Sequence, residues 1–377
     1  MSAGSVSLDP AVDARFMALA LALGRRGLGN TWPNPAVGAV IVRDGPQGSV
    51  VVGRGWTQPG GRPHAEVEAL RRAGTAARGA TIYTTLEPCS HFGQTPPCAD
   101  AIIAAGIARV VSALDDPNPE IAGEGYRRLR AAGITVVTGV GGEEARRAHA
   151  GHVQRMREGR PHVTLKLAIS ADGKAGLAGR RPAAITGETT REHVHRWRAM
   201  HDAILIGIGT ALADDPLLTV RLPGMTQRSP VRVVLDSALR LPREGKLARG
   251  ARDVPLWILA APDAPSARAD ALRATGAEVL PVDGSADRRD LAAVLKLMAA
   301  RGVTRLMVEG GPTVAAALLT AGLVDEAVLL RSPTAIGPDG IDALEGLPLP
   351  ALTHSAQLRS RGIETLDADT VEIFERM

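Results

Sequence analysis

A chain of 377 residues is too long for one ordinary compact core and suits two domains, each able to bury its own apolar interior. With 45% apolar and 22% charged residues, its composition is that of a folded globular protein and not of a disordered one. Lys plus Arg number 44 against 40 Asp plus Glu, a formal charge of +4, and the only lysines are Lys166, Lys174, Lys246 and Lys296; this bias towards Arg reads as genome-wide composition, not as a nucleic-acid surface.

The run FMALALALG from Phe16 follows Asp9 and Asp13 and lacks a basic leader or small-residue cleavage site, so an amphipathic helix is expected. No other apolar run approaches the roughly 20 residues needed to cross a bilayer, and a cytoplasmic protein is expected. AVGAVIV and SVVVGRGW, joined by the turn signal Arg43-Asp44-Gly45-Pro46, predict a hairpin. HAEVEALRRAG predicts a helix closed by Gly74, ATIYTTLEP a strand, PPCADAIIAAG a helix, and ARVVSAL another strand. This alternation implies a layered α/β sheet. Charged helical sequence from Glu143 to Arg160 ends at Pro161, before the strand HVTLKLAIS, which sets the domains at 10–150 and 161–377. The second half repeats a helix, Gly, strand cadence in LRATGAEVLPV, MAARGVTRLMVEGG and LLTAGLVDEAVLL, so a second α/β domain follows.

The strongest chemical signal is His64-Ala65-Glu66 joined to Pro88-Cys89 and Cys98, which fits a zinc deaminase with one His and two Cys as metal ligands and a Glu beside them. Three protein ligands leave a fourth position open for water, as in catalytic zinc sites. Zinc lowers the pKa of such water towards about 7, and Glu66 is placed to take a proton from it and pass one to departing ammonia. Cys98 at the start of a helix favours thiolate, the form that binds metal. The alternative makes His91 a fourth ligand that closes a structural site, but it leaves Glu66 without a role. A disulfide between the two cysteines is a weaker reading in a reducing compartment.

HAEVEAL and TLEPCSHFGQTPPCADAI closely resemble the deaminase half of the bifunctional riboflavin biosynthesis proteins. The insert between the cysteines, Ser90 to Pro97, is longer than the two residues usual in other zinc deaminases and is characteristic of this branch. The resemblance extends to Asn34-Pro35 and VGAVIV, and implies that Asn34 lies near the substrate; by itself Asn34-Pro35 reads equally as a turn before a strand.

In HVTLKLAIS, alternation puts Val163, Leu165, Leu167 and Ile169 on one face and Thr164, Lys166, Ala168 and Ser170 on the other. Lys166 among small residues suggests a cleft, although a solvated lysine is the commoner outcome. GIGTALADDP lacks the third glycine of a dinucleotide fingerprint. EGGPT, between the strand RLMV and the helix VAAALLTAG, could hold a pyrophosphate on its backbone N–H groups or be a plain turn. Together KLAISADGK, GTALADDPLLTVR, RVVLDS and EGGPT resemble the reductase half of the same family, a domain similar to dihydrofolate reductase.

The two resemblances imply a cytidine-deaminase-like three-layer domain followed by a dihydrofolate-reductase-like domain. They imply hydrolytic deamination of a phosphorylated diamino-ribosylaminopyrimidine with Zn2+, then NADPH reduction of the ribosyl group to ribityl. By resemblance, Lys166 and Asp214 flank the reacting sugar carbon, and Arg198, Leu218, Arg221 and Glu309 hold the substrate, the arginines suiting its phosphate. Ala168, Ala184, Thr210, Asp214, Ser237, Gly311, Pro312 and Thr313 contact NADPH. Family members often show a Trp where this chain has Ala184, so a stacking contact to the cofactor is expected to be missing. Partners are expected to be small phosphorylated molecules, with no membrane and no nucleic acid, since the few aromatic residues offer little for base stacking. A homo-oligomer is left open.

Overall fold

Asp9 opens the first helix by accepting the Ala11 N–H, with Pro10 supplying the fixed φ of the first helical position. The computed structural model describes residues 9–377 apart from Ala178, Arg180, Pro182, Asp283, Ala286 and Asp287. The chain divides after Gly159 into two units.

In the first unit α1 is Pro10–Gly24, followed by β1 Gly38–Gly45, β2 Gly48–Trp56, α2 Ala65–Ala73, β3 Thr81–Thr84, α3 Cys98–Ala104, β4 Arg109–Ser112, α4 Glu124–Ala131, β5 Thr135–Thr138, α5 Gly142–Ala148 and α6 Ala150–Glu158. The sheet order is β2-β1-β3-β4-β5, antiparallel at β1 and parallel from β3 to β5. The hairpin turn lies later than the sequence suggests. β1 continues through Arg43 and Asp44 until Gly45 pairs with Gly48, leaving Pro46 and Gln47 as the turn.

Alternation along β1 builds the three layers. Ala39 and Ile41 meet Ala65, Ala69, Ile102 and Leu129 from α2, α3 and α4, while Val40 and Val42 face Phe16, Met17, Leu21 and Ala145 from α1 and α5. The helix over β2 sits unusually close. A Cβ at Gly55 would come within 2.3 Å of the Ala65 carbonyl, so only glycine lets the first turn of α2 rest on the strand. Inside the apolar layer of α1, the Asp13 carboxylate is held by both Arg109 guanidinium nitrogens, at 2.8 and 2.5 Å, and by the Tyr83 hydroxyl at 2.9 Å.

The second unit continues with β6 His162–Ile169, β7 Lys174–Gly176, α7 Glu188–Arg198, β8 Ala203–Gly207, α8 Ile208–Asp214, β9 Val231–Leu235, α9 Lys246–Arg249, β10 Leu256–Ala260, α10 Ser266–Arg273, β11 Glu278–Pro281, β12 Gly284–Ser285, β13 Arg288–Arg289, α11 Leu291–Ala300, β14 Arg305–Val308, α12 Pro312–Thr320, β15 Glu326–Arg331, β16 Ile341–Asp342, α13 Pro350–Thr353, β17 Leu358–Leu366 and β18 Asp369–Arg376. Nine strands form one sheet in the order β11-β10-β9-β8-β14-β6-β15-β18-β17. From β11 to β15 all neighbours are parallel, so their carboxyl ends share an edge, where ligands of open α/β sheets collect. Each helix, Gly, strand cadence is realised: Gly276, Gly302 and Gly322 follow α10, α11 and α12 with positive φ. β17 and β18 add an antiparallel hairpin at one edge. Among the described residues no helix is long and apolar enough to cross a membrane.

Candidate active site

In the first unit His64 caps α2 and Glu66 lies in its first turn. Cys98 begins α3, and Cys89 lies in the loop after β3. Glu87 ties that loop down, accepting backbone N–H groups of Asp116 at 3.0 Å, Gly123 at 2.9 Å and Gly125 at 2.8 Å. His64 Nδ1 lies 3.3 Å from Cys98 Sγ and 3.6 Å from Cys89 Sγ, and the three ligand atoms are within 4.8 Å of one another. Among the described residues no other group joins them. His91 is exposed on the insert and outside this set, and both thiols are free of any disulfide.

One nitrogen and two sulfurs at this spacing are the donor set of Zn2+, and the Cys98 backbone N–H donates to Cys89 Sγ at 3.2 Å, which favours thiolate. Cys89 is drawn well below the usual thiol range, first by its hydrogen bond with Cys98, then by His64. Glu66 is buried, with Oε2 3.5 Å from Cys98 Sγ and Oε1 accepting from Thr84 Oγ1 at 3.4 Å. Burial pushes its carboxyl up, against the pull of His64. Asn34 donates from Nδ2 to the Gly61 carbonyl at 2.9 Å, fixing the loop that leads to His64.

In the second unit Arg198, the last residue of α7, forms a two-pronged pair with Glu309 after β14: Nε to Oε1 at 2.5 Å and Nη2 to Oε2 at 2.8 Å. Its remaining Nη1 donates to the Thr219 carbonyl at 3.1 Å. Lys166 stands within electrostatic reach of Glu309, Arg198 and Asp214. Burial lowers its pKa, and the two carboxylates oppose that fall. Asp214, at the end of α8, is pushed up by the protein around it and pulled back by Lys166. Burial works to raise Glu309, yet Arg198, Lys166 and His195 hold it below its usual value. Arg221 lies near the same pair and is lowered by burial and by Arg198.

The remaining residues of the reading lie along the same unit. Leu218 is buried with a left-handed φ of 54°, an uncommon conformation for leucine that shapes the turn leading to Arg221. Thr210 Oγ1 is 3.0 Å from where a Cβ on Gly311 would stand, so the turn of Gly311, Pro312 and Thr313 packs on α8. Ala168 lies on β6 opposite Leu330, and the Ser237 carbonyl after β9 accepts the Ala261 N–H at 3.2 Å. Ala184 is exposed ahead of α7.

Three residues escaped the sequence reading. Glu87 works through backbone contacts that no spacing reveals. Arg62 reaches the Thr95 hydroxyl, at 2.7 Å, on the insert. His195 lies within electrostatic reach of Arg198, Arg221 and Glu309, and its place three residues before Arg198 on one helix was the available signal.

Residues 10–114 match the family model described as the cytidine and deoxycytidylate deaminase zinc-binding region, and residues 161–371 match the RibD C-terminal domain. The riboflavin biosynthesis protein RibD of Escherichia coli K12 is 41% identical over 370 residues, covering 95% of this chain and 97% of that protein. RibD of Aquifex aeolicus is 39% identical, covering 97% and 99%. Among solved structures, Acinetobacter baumannii RibD superposes with a TM-score of 0.86 at 34% identity over 98% of this chain and all of that one. The Thermotoga maritima diaminohydroxyphosphoribosylaminopyrimidine deaminase/5-amino-6-(5-phosphoribosylamino)uracil reductase gives 0.84 at 31% identity, covering 98% and 99%. The chain therefore belongs to the RibD family of riboflavin biosynthesis proteins, bifunctional enzymes that join a zinc-binding deaminase domain to a reductase domain.

Proposed function

We propose that residues 10–150 deaminate a phosphorylated diamino-ribosylaminopyrimidine and residues 161–377 then reduce its ribosyl group to ribityl, in the cytoplasm, with Zn2+ and NADPH as cofactors. The observation that carries this reading is the convergence of His64, Cys89 and Cys98 beside the buried carboxylate of Glu66. His64, Cys89 and Cys98 would hold Zn2+, which would supply the Lewis acidity that makes water nucleophilic at neutral pH. Glu66 takes a proton from the attacking water and delivers one to the departing amino group, and its burial favours the protonated form it needs halfway through. Asn34 helps seat the pyrimidine.

In the reduction NADPH supplies the hydride. Arg198, fixed by Glu309, and Arg221 hold the substrate phosphate, while Leu218 shapes the wall beside it. Lys166 and Asp214 flank the sugar carbon. Burial makes the Lys166 ammonium a readier proton donor for the opening sugar oxygen, and the Asp214 carboxylate within its electrostatic reach opposes that fall in pKa. Thr210, Ser237 and the Gly311 to Thr313 turn receive the cofactor, with Ala168 and Ala184 leaving space for it. The test is a coupled assay with the phosphorylated diaminopyrimidine: ammonia release without NADPH, then NADPH oxidation at ~340 nm, the absorption of the reduced nicotinamide. With the deaminated intermediate supplied directly, chelating the metal should leave oxidation intact. Ammonia release that survives metal removal would refute the first half of the reading.

A further inference from the structure

With a metal on Nδ1 of His64, the outer edge of that ring and the Arg62 guanidinium face one another as two donors. The Nδ1 edge of His64 points at Cys89 and Cys98, so a metal held there takes the Nδ1 lone pair and leaves the proton on Nε2. Histidine ligands nearly always donate that outer N–H to a carboxylate, carbonyl or water. Here the group opposite Nε2, at 3.4 Å, is Arg62 Nη1, which is itself only a donor. Two donors cannot satisfy each other. Among the described residues no carboxylate pairs with Arg62, whereas Arg128, the other arginine against the insert, is held by Asp100 and by the Ser90 carbonyl. Arg62 Nη1 also donates to Thr95 Oγ1 at 2.7 Å, which leaves the hydroxyl proton of Thr95 free to point elsewhere. Its Nη2 runs along the insert, 3.6 Å from where a Cβ on Gly93 would stand.

We propose that Arg62, the outer N–H of His64 and the Thr95 hydroxyl form an anion site that takes the substrate's phosphate during deamination. The inference rests on the zinc reading above and deepens it. A phosphate monoester supplies what the three groups lack: several acceptor oxygens, a geometry that suits a guanidinium fork, and the charge that turns the donor–donor opposition into attraction. The site would tie recognition of the phosphorylated substrate to the basicity of the metal's histidine ligand.

The test uses the full zinc-loaded chain with Arg62→Gln, Arg62→Lys and Thr95→Val. Arg62→Gln is expected to raise the KM for ammonia release about 10-fold or more while kcat stays within about twofold, the loss of one charge-assisted phosphate contact. Arg62→Lys should recover part of that loss, and Thr95→Val should give a smaller rise. NADPH oxidation with the deaminated intermediate should be unchanged in all three. A second readout uses Co2+ in place of zinc, with inorganic phosphate as the probe: the visible absorption of the thiolate-bound cobalt should change saturably in the parent and not in Arg62→Gln. A KM for Arg62→Gln equal to the parent's overturns the inference, as does a cobalt spectrum that is unmoved in the parent or moves equally in the variant. A parent that releases no ammonia would instead sink the functional reading, and this inference with it.

Discussion

Glu66→Gln separates chemistry from architecture more cleanly than any other substitution in the first unit. Glutamine has nearly the same volume, and the two contacts of the carboxylate, Thr84 Oγ1 at 3.4 Å and Cys98 Sγ at 3.5 Å, are long enough to accept an amide. Packing of α2 on β2 depends on Gly55 and the alanines of the helix, which are untouched. His64, Cys89 and Cys98 keep their spacing, so the variant should bind one zinc per chain and melt with the parent. What is lost is proton transfer at a buried oxygen. General acid–base catalysis contributes roughly 10²- to 10⁴-fold, or about 2.7 to 5.4 kcal/mol in the barrier. Ammonia release by the purified variant, measured beside its zinc content, should fall by at least about 100-fold at unchanged metal occupancy. Its NADPH oxidation with the deaminated intermediate should equal the parent's. A zinc-replete variant that keeps a tenth of the parent's ammonia release would refute the role of Glu66.

Asp214→Asn should abolish reduction and leave deamination intact, because its carboxylate lies within electrostatic reach of Lys166 in the second unit; loss of both activities in a folded variant would break this division of labour. Glu309→Gln should strand the Arg198 guanidinium in a nearly dry site and destabilise the reductase unit by about 3–5 kcal/mol, read by denaturant unfolding of the full chain together with lost NADPH oxidation. His201 is buried against the Trp197 carbonyl and Thr164 Oγ1, and burial depresses its pKa to about 4. Since the folded value lies below the unfolded one, about 6.5, the unfolded chain binds the proton first, and stability is present above that value and lost as pH falls towards about 4. His201→Gln should flatten that loss, and unfolding curves at matched pH values that stay parallel to the parent's would contradict it.

Much of the molecule could be read from local sequence. Helix starts at Asp9 and Pro10, the glycines after α10, α11 and α12, and the alternation that sends Ile41 and Val42 to opposite faces are decided within a few residues by backbone sterics and burial. The metal ligands were legible for the same reason: His and Cys are rare, and their spacing around Glu66 leaves few other chemistries. The C-terminal hairpin of β17 and β18 is not legible in the sequence, since an edge pair that continues a sheet has a pattern too weak to announce its partner. The hairpin turn falls later than residue type suggests because Arg43 and Asp44, though turn-like by type, are carried on by pairing with β2.

From the sequence alone came the two α/β halves, the His64, Cys89 and Cys98 triplet with its Glu66, and the family to which those motifs point. Only the tertiary structure decided the rest. Arg198 and Glu309 lie on separate elements, and it is the parallel order of β8, β14 and β6 that brings them together beside Lys166. Arg62 became visible only when folding set it against the outer nitrogen of His64 and the hydroxyl of Thr95, 33 residues away. Residue type and spacing dictate local structure and name candidate ligands. Which charges meet, and which donors lack an acceptor, depends on contacts between distant segments that exist only after the sheets have formed.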